Sequence, residues 1–111
     1  MEQLENMSFK DLDQMVNDVA DKFFYAKKIR CLNYGNVIGE SSFNEENPFD
    51  SFCLKVERAY ESLNELERNL INNEFFYQSY NRWWETLYSK ASFYRYKKEA
   101  MQKFLGAIYD S

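Results

Sequence analysis

The chain is 111 residues long, the size of one ordinary domain, and Leu, Ile, Val and Phe supply 27 of them, which is enough for a packed core. Three glycines and one proline are too few for the turns of a sandwich or barrel. The formal net charge of −4 hides an uneven split: residues 1–79 carry 8 basic and 15 acidic side chains, residues 80–109 six basic and two acidic, an asymmetry that points to a local polyanion-binding surface.

In chain order, Ser8 and Asp11 have the spacing of a capping box with Asp in place of Glu. Leu12, Val16, Val19, Phe23 and Ala26 follow at alternating steps of four and three, a single apolar stripe on a helix over about 8–34. Lys27, Lys28 and Arg30 suit its negative end, and Tyr34-Gly35 is the stop. Residues 35–47 lose all periodicity and read as a long loop, with Val37, Ile38 and Phe43 available to pin it. Asn47-Pro48 opens a second helix, Asn as cap and Pro at the first helical position. Its stripe, Phe52, Val56, Ala59, Leu63, Leu66 and Leu70, repeats the same rhythm, and Glu74 to Tyr77 prolong it to about residue 77. Two such stripes pack most simply as an antiparallel pair within one chain. A homodimer that joins them across two chains is the alternative.

Residues 79–111 read differently. Gln78 to Asn81 form a turn, and Arg82–Tyr88 is expected as a short helix burying one of Trp83 and Trp84 together with Leu87. Ser89 to Ser92 make a tight break with Ser92 as cap, and Phe93 to about Ile108 is the last helix. Phe93, Tyr96, Ala100, Phe104 and Ala107 form its inner stripe, with Tyr94, Arg95, Lys98, Glu99 and Gln102 outside. The expected fold is therefore all-α, with four to five helices: an N-terminal helical support over 1–78 and a C-terminal helix-turn-helix over 79–111, in one compact domain.

Short helix, turn and longer basic helix match the outline of a DNA-binding helix-turn-helix, whose second helix enters the major groove. In that setting Arg95 can read a guanine by paired hydrogen bonds, and Lys90, Lys97 and Lys98 can contact phosphates. The amides from Ser92 to Arg95 can receive a phosphate oxygen. Tyr94 and Gln102 complete the outer face.

The segment from Trp83-Trp84 through Tyr88-Ser89-Lys90-Ala91-Ser92-Phe93-Tyr94-Arg95-Tyr96-Lys97-Lys98-Glu99-Ala100 to Phe104-Leu105 resembles the C-terminal box of ArpU-type phage transcriptional regulators and of related small mollicute proteins. That group is in turn similar to region 4 of sigma factors. The resemblance covers about 25 to 35 residues, from near Leu70-Ile71 onward. Ala91-Ser92 stands where the group has Ser-Thr, which keeps the cap, and Phe93 replaces its first Tyr. The resemblance implies a turn at Ser89 to Ser92 and a recognition helix from Phe93 to Phe104. It also implies double-stranded DNA as partner; the N-terminal helices, which lie outside the resemblance, are expected to form a support that either dimerises or docks on a partner such as RNA polymerase.

Other chemistry has little to stand on. The chain lacks histidine, which removes Ser-His and Cys-His nucleophile pairs. Cys31 and Cys53 form no Cys-x-x-Cys and read as free thiols. Glu45-Glu46 and Glu65/Glu67 read as solvated surface. No catalytic residue, metal or cofactor is expected. Without an apolar run of about 18 residues or a basic N-terminal region before an apolar stretch, a cytoplasmic protein with no membrane contact is expected. The reading is a DNA-binding transcriptional regulator. The alternative is a helical protein-interaction module or adaptor that docks on polymerase or another nucleoprotein without touching DNA.

Overall fold

The computed structural model describes residues 4, 6–34, 48–77 and 79–109, the backbone alone for residues 30–34. It is all-α, and the described residues contain no strand. We label the helices α1 (Phe9–Tyr34), α2 (Pro48–Glu61), α3 (Glu65–Ile71) and α4 (Lys90–Tyr109), with a five-residue π-helical turn, Asn72–Phe76, following α3. The expected loop over 35–47 and the Asn47 cap lie outside the described residues.

The stripe read for α1 is the one it buries: Leu12, Val16, Val19, Phe23 and Ala26 are all in the core. Ser8 caps it, its Oγ accepting from the Asp11 amide at 3.1 Å. The α2 helix lies beside α1, with Lys27 Nζ 3.8 Å from Glu57 Oε1 and the Tyr25 ring edge-on to Phe49 at 6.2 Å. From α4, Phe93, Ala100, Met101, Phe104, Leu105 and Ile108 fill the centre of the bundle against both. Phe104 is fully buried and edge-on to Phe76 at 6.0 Å. Truncating such a ring costs about 3–5 kcal/mol, because lost transfer energy adds to the cavity left behind.

The second expected helix is broken rather than continuous. The helix of α2 ends at Glu61, and Ser62-Leu63-Asn64 turn the chain before α3. Asn64 Oδ1 accepts from the Glu67 amide and Glu67 Oε1 accepts from the Asn64 amide, both at 2.9 Å, a complete capping box. Ser62 Oγ donates back to Ala59 O at 2.6 Å. Short polar side chains compete in this way with the helical ladder, so two of them flanking Leu63 end one helix and begin another. Leu63 stays in the core at the corner, but the stripe shifts register. Phe52 and Leu66 become half-buried, while Cys53 and Ile71 take core positions.

The segment 82–88 is a chain of turns, not a helix. Arg82 has φ of 59°, the left-handed region in which a helix cannot start. The Leu87 and Tyr88 amides both return to Trp84 O at 2.9 Å. On a helix, adjacent side chains point in different directions. Here Trp84 stacks on Phe93 at 4.3 Å and 9°, and Trp83 meets the same ring edge-on at 6.1 Å. The turns let both indoles bear on one α4 residue. Leu87, expected inside, is 65% exposed as a result. The last helix starts at Lys90, three residues earlier than its apolar pattern indicates. Ser89, not Ser92, is the cap: its Oγ accepts from the Ser92 amide at 3.2 Å and its carbonyl from the Phe93 amide at 2.9 Å.

Candidate nucleic-acid interface

The face of α4 opposite the core carries most of the residues singled out from the sequence. Arg95, Lys98 and Gln102 follow at i, i+3 and i+7, and Tyr94 sits beside that line, four residues from both Lys90 and Lys98. These spacings place them together on one side of a helix. Lys90, Tyr94, Arg95 and Lys98 are exposed, and Ser92 and Gln102 are half-buried. Among the described residues, neither Lys90, Arg95 nor Lys98 has an acidic oxygen within ion-pair distance.

The surface is held from behind by rings. Tyr94, 42% exposed, is edge-on to Phe9 at 5.4 Å, to Phe93 at 5.2 Å and to Trp84 at 6.3 Å. The Arg95 guanidinium lies 5.0 Å from the centre of the Tyr96 ring, itself edge-on to Tyr88 at 5.6 Å. A cation over a ring is attracted by the ring's quadrupole, which narrows the range of positions Arg95 samples without neutralising it.

Not every candidate belongs to the surface. Lys97 is 8% exposed. Its ammonium lies 2.7 Å from Glu74 Oε1 and 3.1 Å from Asp13 Oδ1, with the Phe75 and Phe9 rings 5.1 and 5.4 Å away. Burying a charge is tolerable only when it is paired, and Lys97 is paired twice, so it is a structural tie and not a phosphate contact. The Gln102 amide is partly committed, with Nε2 donating to Leu4 O at 3.4 Å. The Ser92 amide is occupied by the Ser89 cap.

The charge excess of residues 80–109 shrinks accordingly. Lys97 is used internally, Lys103 Nζ meets the buried Glu67 carboxylate at 2.6 Å, and Arg82 faces Glu85 at 3.9 Å. Lys90, Arg95 and Lys98 remain available to an outside anion.

Next to this face lies a cleft of about 550 Å³ that no local sequence pattern marks. Its walls are the π-helical turn, the 79–88 turns and the first two turns of α4, with Lys90 and Tyr94 shared between cleft and face. The Trp-rich run before a basic helix is the nearest sequence signal to it. A second cleft, of about 290 Å³ and more apolar, lies over Phe23, Val56 and Phe76 and is lined by no residue of α4.

Among the described residues there is no group of three or more His, Cys, Asp or Glu side chains placed to hold a metal ion, and no helix is long and apolar enough to cross a membrane. No protein-family model, curated protein or solved structure matches the chain.

Proposed function

We propose that the protein is a DNA-binding transcriptional regulator that presents the N-terminal half of α4 to duplex DNA. One observation carries this reading: Lys90, Arg95 and Lys98 are exposed around Tyr94 on one helix face, and none has an acidic partner among the described residues. Three cations without an ion-pair partner among the described residues, at the start of a 20-residue helix in a chain that is acidic elsewhere, form a local surface suited to a polyanion. An α-helix fits the major groove, where Arg95 has the fork geometry to pair with a guanine edge and Lys90 and Lys98 act as point charges toward phosphates. The likeness of residues 83–105 to the C-terminal box of ArpU-type regulators supports the same reading. The turns at 82–88 brace α4 in place of the first helix of a helix-turn-helix, so the reading rests on the α4 face and not on a two-helix outline.

Fluorescence anisotropy with fragments of the host genome, titrated over salt, tests the reading. Wild type is expected to bind with a measurable salt dependence, and the Arg95→Glu/Lys98→Glu protein is expected not to bind. Equal binding by both proteins, or none by wild type at low salt, overturns it. In the second case a protein partner such as RNA polymerase becomes the target to look for.

A further inference from the structure

We propose that the cleft between the π-helical turn and the start of α4 takes one unstacked nucleotide, its base against the cleft's aromatic wall and its phosphate toward Lys90. This inference rests on the nucleic-acid role of the α4 face and goes beyond it, because groove reading of a closed duplex needs no pocket. At about 550 Å³ the cleft is within the range of small-molecule sites, roughly 300–1,000 Å³.

Its lining selects the ligand class. Charged residues in the wall are Arg82, Lys90 and Lys97 against Glu74 and Glu85. Lys97 is held by Glu74 and Asp13, and Arg82 faces Glu85 at 3.9 Å. Lys90 is left as the single lining cation without an acidic partner among the described residues, which fits one phosphate and not a polyphosphate. Tyr80, Trp84 and Tyr94 supply aromatic surface on which any base can stack. Asn81 supplies an amide, donor and acceptor together, of the kind that reads a base edge.

Three further features set this cleft apart from ordinary packing. Tyr80 is 73% exposed and makes no ring contact or hydrogen bond with the described residues, and the Asn81 side chain makes no hydrogen bond with them either. Among the described residues, neither side chain is tied to the fold by a hydrogen bond or a ring contact. Beside them, Arg82 is the one non-glycine described residue with positive φ, at 59°, and such backbone strain concentrates at binding sites. The opposite wall is a π-helical turn, a rare geometry with the same tendency.

Trp84 lines the cleft and is one of only two tryptophans in the chain, so stacking of a base there should be visible as quenching of indole emission. The intact protein is titrated with short oligothymidylate and oligoadenylate single strands, with free adenosine and uridine monophosphates, and in parallel with a closed hairpin duplex followed by anisotropy. Saturable quenching by a single strand is expected, weakened about tenfold in Tyr80→Ala and in Asn81→Ala. Both side chains are exposed, so these variants should melt as wild type does. Quenching by the mononucleotides as well identifies a free nucleotide as a sufficient source of the ligand, and quenching by oligonucleotides alone identifies a single strand; either supports the cleft. Absence of saturable quenching by all four probes, or unchanged affinity in both variants, overturns it. Duplex binding without quenching overturns the nucleotide cleft alone, and quenching without duplex binding overturns groove reading alone.

Discussion

Lys97 donates to Glu74 across 2.7 Å, and the other oxygen of that carboxylate accepts the Trp83 indole N–H, also at 2.7 Å. With Asp13 3.1 Å from the same ammonium, one side chain ties α1, the π-helical turn, the 79–88 turns and α4 together. The geometry makes Lys97 a stability residue and separates it from its neighbour Lys98. Lys97→Met removes the cation and leaves the half-buried Glu74 carboxylate with the Trp83 indole N–H as its remaining partner among the described residues. Loss of one partner of a buried pair costs about 3–5 kcal/mol, and Asp13 is about a third exposed, so roughly 2–4 kcal/mol is expected. Lys97→Met/Glu74→Gln should recover part of that loss. Urea denaturation measures both. DNA affinity of folded Lys97→Met should stay within about twofold of wild type, since a buried ammonium releases few counterions from DNA. A large affinity loss without a stability loss would put Lys97 back on the interface.

The periodic parts of this structure were legible and the long-range polar parts were not. All five positions of the α1 stripe are buried because a 4-3 rhythm over fifteen residues has one geometric solution, a helix with that face inward. The same rhythm ran on through Leu63 and concealed the break at Ser62 and Asn64, where local hydrogen bonds outweigh continuation of the ladder. A lysine reads as solvent-facing from sequence because it is seldom buried unless paired. The partners of Lys97, Glu74 and Asp13, are 23 and 84 positions away, a separation at which no local pattern gives notice. Trp83-Trp84 pointed to one buried indole; both are half-buried and both bear on Phe93, which requires the turns that replaced the expected helix. The outer face of α4 was read correctly for Tyr94, Arg95 and Lys98, since helical spacing alone determines it.

The strength of the proposed DNA contact follows from the available cations. Six basic residues in 80–109 would give a log–log salt slope of about −5 if all met phosphates. With Lys97, Lys103 and Arg82 facing carboxylates and Arg95 assigned to a base edge, two phosphate contacts remain, and the expected slope is about −2. Lys90→Ala and Lys98→Ala should each flatten it by about one and weaken all sequences alike. Arg95→Ala should instead weaken binding mainly by blurring preference at one base pair. Anisotropy at several salt concentrations reads these values, and a slope near −5 would mean that the internal pairs open on DNA.

The start of α4 gives a sharp test of the observed architecture, because two serines compete for the role of cap. In the structure Ser89 Oγ accepts from the Ser92 amide, while Ser92 lies within the first helical turn. Ser89→Ala should cost about 1 kcal/mol, the usual loss of a side-chain cap. Ser92→Ala should change stability by less than about 0.5 kcal/mol. Thermal melts of the two variants decide between them. The reverse order would restore a helix beginning near Phe93 and a four-residue turn ahead of it.

The contact between Lys103 and Glu67 makes stability depend on pH in the alkaline range. Glu67 is buried by its place in the Asn64 capping box, and its Oε2 lies 2.6 Å from the exposed Lys103 ammonium. The hydrogen bond from Lys103 to Glu67, and then the charge of Glu67, hold the lysine above its ordinary value of 10.5. A cation whose pKa is raised by folding stabilises the fold fully below its unfolded value, and that contribution disappears as pH rises through the folded value. Wild type should therefore melt higher than Lys103→Gln at neutral pH and up to about pH 10, and the gap should close as pH rises further. The difference between the two melting curves is the quantity to follow. A gap that stays constant through the alkaline range would show that the pair contributes by packing of the lysine stem and not by its charge.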